Sequence, residues 1–220
     1  MSRKKLPRFE HNRESPLVLE PGKEIYETIK GNWRDRYFLN SNPLVLEIGC
    51  GRGEYTVGLA RHYPELNFIG IDRKGDRIAQ GSKQALNEGL TNVAFLRTDV
   101  FKLLDFFGKE EVNEIWITFP DPQPRISQVK NRLTDPRYLA LYREILTHEG
   151  ILHLKTDHDD FFDFSVQTLP ANGFNDLITT HDLYRSDMNH LHLGIKTKYE
   201  EIFTRKGFSI KYLKCKKAGY

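Results

Sequence analysis

Between residues 44 and 157 the chain repeats one pattern five times: a short apolar run, and at its end an acid. The runs cover 44–48, 67–71, 93–96, 114–119 and 151–155, and each has the length and the β-branched or aromatic content of a buried strand. Helical patterns separate them, over 54–62, 76–88 and the stretch after Asp135-Pro136, where Tyr138, Leu141, Tyr142 and Ile145 recur at three- and four-residue spacing. A further helix is expected over 159–169 and a short one near 23–30. Such alternation predicts an α/β protein of Rossmann-like build, with a mostly parallel sheet covered by helices on both faces. Strand-like stretches near 176–184, 199–204 and 208–213 are expected to add an antiparallel hairpin at one edge, giving about seven strands.

In a sheet of this kind the ligand lies beyond the carboxyl ends of the strands. Here those ends carry Glu47, Asp72, Asp99, Asp121 and Asp157. One aspartate after a strand is an ordinary turn former or helix cap. Five acids converging on one crevice repel each other unless a cationic or donor-rich group sits among them. S-adenosylmethionine offers a positive sulfur, an amino group and a ribose diol. The first turn, Gly49-Cys50-Gly51-Arg52-Gly53, permits a sharp bend and close approach of backbone to ligand. Its third glycine comes one residue earlier than in the pyrophosphate-binding GxGxxG pattern, and Glu47 before it suits an ammonium better than a phosphate. Asp72 stands where a carboxylate accepts from both ribose hydroxyls. The cofactor expected is therefore S-adenosylmethionine, and the fold that of a class I methyltransferase.

The positive charge is concentrated at the ends. Residues 1–13 hold Arg3, Lys4, Lys5, Arg8 and Arg13 against Glu10, and the stretch from Arg205 onward holds six Lys or Arg and no acid, in a chain of net charge +3. Basic ends suit a polyanion. Residues 1–22 read as a flexible basic arm ending in Glu20-Pro21-Gly22, and 23–220 as one methyltransferase domain. No apolar run has the length of a membrane span, no secretory signal is apparent, and Cys50 and Cys215 are far apart, so a cytoplasmic protein without disulfides is expected. His190 and His192 lack a third ligand, so no metal is expected. Trp33, Tyr37 and Phe38 are expected in the core.

The stretch FPDPQPRISQVKNRL from Phe119, with LKTD at 154–157, TKYE at 197–200, EIGCGRGEY at 47–55 and GID at 70–72, resembles the bacterial tRNA (guanine-N7-)-methyltransferase family over nearly the whole chain from about residue 40. The resemblance implies methyl transfer to a guanine N7 in the variable loop of tRNA, forming 7-methylguanosine. It implies cofactor contacts at Glu47, Gly49, Gly51, Gly53, Asp72, Asp99 and Asp121, with Asp121 also catalytic. It further implies substrate contacts at Arg125, Asp157, Thr197, Lys198, Tyr199 and Glu200, and RNA contacts at Lys130 and Arg132. A monomer or homodimer without an obligate protein partner is expected. Many members carry tryptophan where Gln123 stands, and a denser basic loop after it. Two alternatives stay open at this point: a class I methyltransferase for another substrate, and a non-catalytic relative that binds RNA or cofactor.

Overall fold

The computed structural model describes residues 6–219. The chain begins with α1 (Leu6–Glu14), β1 (Val18–Leu19) and α2 (Glu24–Thr28), then alternates β2 (Leu44–Ile48), α3 (Glu54–His62), β3 (Asn67–Ile71), α4 (Gly75–Asn87) and β4 (Val93–Leu96). Next come α5 (Leu103–Phe106), β5 (Val112–Thr118), α6 (Pro136–Ile145), β6 (Leu146–Thr156) and α7 (Asp159–Ala171), and last β7 (Phe174–Thr180), α8 (Lys198–Arg205) and β8 (Lys211–Lys217). One eight-stranded sheet runs in the order β1-β4-β3-β2-β5-β6-β8-β7. Its pairs are parallel from β1 through β6, and β8 enters antiparallel between β6 and β7.

All five residues of β2 and of β3 are buried, because helices cover both faces; this is why those strands read as unbroken apolar runs rather than alternating ones. One face packs Leu46, Ile48, Leu139, Tyr142 and Phe161, and the other Tyr55, Val57, Ile78, Phe95 and Trp116. Trp33 is buried, stacks on Phe107 at 5.4 Å and donates its indole N–H to the Phe106 carbonyl at 2.9 Å. Asp135 caps α6 by accepting from the Arg137 N–H, with Pro136 in the first turn, as the sequence pattern predicts. Cys50 and Cys215 are both free and buried. Among the described residues no helix is long and apolar enough to cross a membrane.

Of the expected arm, Arg3, Lys4 and Lys5 lie outside the described residues, and residues 6–22 carry α1 and β1, which pack on α4 and β4. Asn12 donates to the Gly75 carbonyl at 2.8 Å, Ser15 meets Ser82 at 2.7 Å, and His11 meets Ser82 at 3.1 Å, so α1 is tied to α4 by polar groups. Val18 and Leu19 then pair with Phe95 and Leu96, which adds the eighth strand. Lys23 Nζ donates to the carbonyls of Asn12, Ser15 and Val18 at 2.6–2.8 Å. Anchors of this kind leave no apolar period to read.

The structure corrects 199–204, expected as a strand and found within α8. Thr197 and Glu200 form a reciprocal capping box that starts a helix there. The strand expected near 208–213 is found at Lys211–Lys217, so the basic C-terminus is sheet. Lys211 pairs with Asp159 at 2.9 Å, Lys217 donates to the Leu146 carbonyl at 2.7 Å, and Lys216 lies near Glu149 and Asp176 at 3.7 and 3.8 Å.

Candidate active site

The five acid-bearing strands are neighbours, in the order β4-β3-β2-β5-β6, and all point the same way. Their register aligns Ile71 with Ile48 and Leu96, Ile48 with Ile117, and Thr118 with Lys155. Glu47, Asp72, Asp99, Asp121 and Asp157 therefore fall along one carboxyl edge. The strand order reverses at β2, whose end carries Glu47 and the glycine turn, so the crevice opens at the switch point of the sheet.

Gly49, Gly51 and Gly53 have φ of +75°, +56° and +72°, a conformation that only glycine adopts without strain. At Gly53 a side chain is also excluded by space, because a Cβ would lie 2.5 Å from the Phe95 ring. Gly51 donates its N–H to Asp72 Oδ2 at 3.0 Å, and Lys74 donates its backbone N–H to Oδ1 at 2.8 Å. The Asp72 carboxylate is thereby fixed in orientation while each oxygen keeps an acceptor direction, the arrangement a vicinal diol requires. Asp99 is exposed and accepts from the Phe101 N–H at 3.0 Å, capping the 3₁₀ turn at Val100–Lys102.

Glu47 is buried, and its Oε2 accepts from both the N–H (2.8 Å) and the hydroxyl of Thr56, while Oε1 accepts from the Thr118 hydroxyl. Burial pushes its carboxyl up to about 7, against the hydrogen bonds from Thr118 and Thr56, and the charge of Glu54 adds to the rise. A buried carboxylate so placed favours a cationic ligand beside it. It also makes stability depend on pH. A carboxyl that holds its proton more tightly folded than unfolded stabilises the fold fully below the unfolded value, and this contribution is lost as pH rises through about 7. The loss amounts to about 3 kcal/mol for this group alone. The urea midpoint of the ligand-free chain is therefore expected to fall between about pH 4.5 and 7, and Glu47→Gln to flatten that fall. Superimposable profiles for the two chains would remove Glu47 as the cause.

The loop after β5 is held in a demanding shape. Phe119 and Gln123 both have φ of +47°, and such left-handed non-glycine residues cost roughly 1–3 kcal/mol each. The Phe119 N–H donates to the Lys155 carbonyl at 2.9 Å, and Asp121 Oδ1 accepts from the Gln123 N–H at 3.2 Å. Between these anchors Asp121 is exposed at the crevice. Arg125, just before the 3₁₀ segment Ile126–Asn131, and Lys130 within it are exposed. Arg132, expected to meet RNA, is turned inward instead. It is only 6% exposed, donates to the carbonyls of Pro122 and Asp160 at 3.1 and 3.2 Å, and lies 4.9 Å over the Phe164 ring. Its role here is to pin the Asp121 loop to α7.

At the far side of the crevice, Tyr199 donates its hydroxyl to Asp157 Oδ2 at 3.2 Å, and Lys198 donates its backbone N–H to Glu54 at 3.3 Å. Burial, then the Asp157 charge, pushes the Tyr199 phenol up to about 12. Thr197 caps α8. Glu200, expected to line a guanine pocket, is 0% exposed and already engaged: Lys155 Nζ lies 2.8 Å away, the Tyr184 hydroxyl donates to it, and the Thr197 N–H reaches it at 3.3 Å.

Lys155 escaped sequence reasoning altogether. It is 0% exposed, and its ammonium sits 4.8 Å over the Tyr55 ring and 5.7 Å over the Phe119 ring as well as against Glu200. It thus touches the helix after the glycine turn, the Asp121 loop and α8 at once. The available signal was a lysine inside an otherwise apolar strand, since a buried cation demands a partner.

Residues 41–213 match a family described as putative methyltransferases. The chain is 46% identical over 216 residues to a tRNA (guanine-N(7)-)-methyltransferase of Cytophaga hutchinsonii, covering 97% of each chain. It is 43% identical to the enzyme of that name from Christiangramia forsetii, covering 98% of each, and 40% identical to that of Halalkalibacterium halodurans, covering 83% and 81%. Among solved structures, the 16S rRNA methyltransferase KamB superposes with a TM-score of 0.64 at 16% identity, over 84% of this chain and 92% of that one. A 16S rRNA (adenine(1408)-N(1))-methyltransferase from Catenulisporales acidiphilia, solved with its cosubstrate, does so with a TM-score of 0.58 at 12% identity, over 84% and 90%. These two likenesses are of fold alone. With the sheet order, the glycine turn and near full-length identity above 40% all in agreement, the chain belongs to the tRNA (guanine-N7-)-methyltransferase family.

Proposed function

We propose that this chain transfers a methyl group from S-adenosylmethionine to N7 of a guanine in tRNA, in the variable loop that the family resemblance implies. The observation that carries the reading is the row of acids on one carboxyl edge at the switch point, in a chain so similar to enzymes of that name. S-adenosylmethionine supplies an electrophilic methyl on a positive sulfur. Glu47, buried and in want of a counter-charge, suits its ammonium, and Asp72, with one acceptor direction left on each oxygen, suits its ribose. The left-handed glycine turn lets backbone come close between them. Asp99 stands exposed at the next strand end, within the same crevice edge.

Guanine N7 presents an in-plane lone pair and has no proton to lose, so the chain need not supply a general base. Its task is to hold the nucleophile in line, a contribution of several kcal/mol in well-oriented reactions. Asp121 or Asp157 would accept from the guanine N1–H and N2–H₂ and stabilise the positive charge that develops on the purine. Tyr199, bonded to Asp157, borders that position, and Arg125, Lys130 and Lys198 offer exposed charge to phosphates. The test is direct. Purified chain, isotope-labelled methyl donor and an unmodified tRNA transcript are expected to give labelled 7-methylguanosine on nucleoside digestion. Label in another nucleoside, or none in RNA, overturns the reading.

A further inference from the structure

Four aromatic rings form a line from the Asp121 loop to the far end of α8. Phe119 meets Tyr199 at 5.6 Å between ring centroids, Tyr199 stacks on Phe203 at 4.2 Å with 24° between planes, and Phe203 meets Phe208 at 5.5 Å. Tyr199 and Phe203 are four apart and share a helix face. Gly207, at φ +86°, ends the helix, and the Phe208 N–H returns to the Phe203 carbonyl at 3.1 Å. That turn fixes the Phe208 ring beside its neighbour, yet the residue stays 49% exposed, and Tyr199 stays 44% exposed. Rings held in place and left open to solvent are preorganised platforms, with little freedom left to lose on binding.

A cation flanks the outer end of this line: Lys206 Nζ sits 5.1 Å over the Phe203 ring. Much of the basic C-terminus is bound up in the sheet: Lys211, Lys216 and Lys217 all have acid partners. Lys206 stands outside that strand and over the Phe203 ring, while Arg205 pairs with Glu201 around the helix from Tyr199 and Phe203. Exposed aromatic faces bordered by cations are what unstacked nucleotides bind, through base stacking and phosphate pairing.

We infer that the aromatic face of α8 and the turn after it dock single-stranded RNA next to the target guanine, with a base stacked on Phe208 and a phosphate paired with Lys206. The inference rests on the proposed tRNA methyl transfer and extends it from the reacting base to the nucleotides beside it. It is tested with the full chain and a labelled, unmodified tRNA transcript, by fluorescence anisotropy and steady-state methylation. Phe208→Ala is expected to raise Kd and KM for tRNA by roughly ten- to a hundredfold. Its kcat at saturating tRNA and its affinity for S-adenosylmethionine should stay within about twofold, and Phe208→Trp should keep near-normal RNA affinity. Lys206→Gln is expected to lower the slope of log Kd against log salt by about 0.7. Should Phe208→Ala fail to fold, as a thermal melt would show, the salt slope of Lys206→Gln decides. A folded Phe208→Ala with unchanged Kd, or an unchanged salt slope, overturns the docking surface. Wild-type chain that forms 7-methylguanosine while the variants bind RNA normally sinks this inference alone; wild-type chain that forms none sinks the proposed function beneath it.

Discussion

Asp121→Ala is expected to lower methylation of tRNA at saturating substrates by at least ~100-fold, the usual effect of removing one preorganised charge-stabilising group. Affinity for S-adenosylmethionine should change by only a few-fold. The reason lies in where the residue stands. Asp121 sits between two left-handed residues, Phe119 and Gln123, in a loop fastened to Lys155 on one side and through Arg132 to α7 on the other. Holding an exposed carboxylate on so constrained a backbone has an energetic cost, and a cost of this kind collects where geometry serves a reaction. On the proposed reading the donor's ammonium and ribose would have their own acceptors in Glu47 and Asp72, so losing Asp121 should spare binding and slow transfer. Asp121→Asn separates charge from hydrogen bonding, because it keeps an acceptor and loses the negative charge. Its turnover is expected to lie between those of wild type and Asp121→Ala. Turnover of Asp121→Ala near that of wild type, measured with saturating tRNA, would move the catalytic role elsewhere on the edge.

The acids of the crevice were legible in the sequence because each follows an apolar run directly, and strand direction alone then sends them to one edge. The glycine turn was legible for the same local reason. What escaped reading was decided by partners distant along the chain. α1 and β1 are held by Asn12, Ser15 and Lys23, polar residues whose carbonyl and hydroxyl partners lie on α4 or within the segment itself, so no apolar period marks them. Residues 199–204, with Tyr199, Ile202 and Phe203, look strand-like in isolation. The overriding signal was Thr197 followed three residues later by Glu200, a helix start that Gly207 then terminates. Arg132 and Glu200 carry charge, and charge is ordinarily read as surface. Only the fold reveals that Pro122, Asp160 and Lys155 turn both inward.

Lys155→Met is expected to destabilise the chain by about 3–5 kcal/mol, the range for breaking a buried ion pair from one side. For a chain of this size that corresponds to a fall in Tm of roughly 6–20 °C. Both partners are fully buried, so removing the ammonium leaves Glu200 charged, desolvated and bonded to the Tyr184 hydroxyl and the Thr197 N–H alone. Burial pulls the Lys155 ammonium below the ordinary lysine value and Glu200 pulls it back up, so the pair is what keeps the charge in place. Glutamine at 200 preserves the capping box, since an N3 amide serves as well as a carboxylate. The double variant Lys155→Met with Glu200→Gln is therefore expected to recover much of the loss, and the double-mutant cycle should give a coupling well above the ~0.5 kcal/mol of independent sites. Stability and activity should then part company. The double variant is restored in melting temperature, but the ammonium no longer bridges Tyr55, Phe119 and Glu200, so the glycine-turn helix, the Asp121 loop and α8 lose their common anchor. Its kcat should stay at least about tenfold below wild type while the fold is intact. A double variant as unstable as Lys155→Met would show that the uncompensated carboxylate is not the source of the loss, and one with full activity would show that the anchor is dispensable for catalysis.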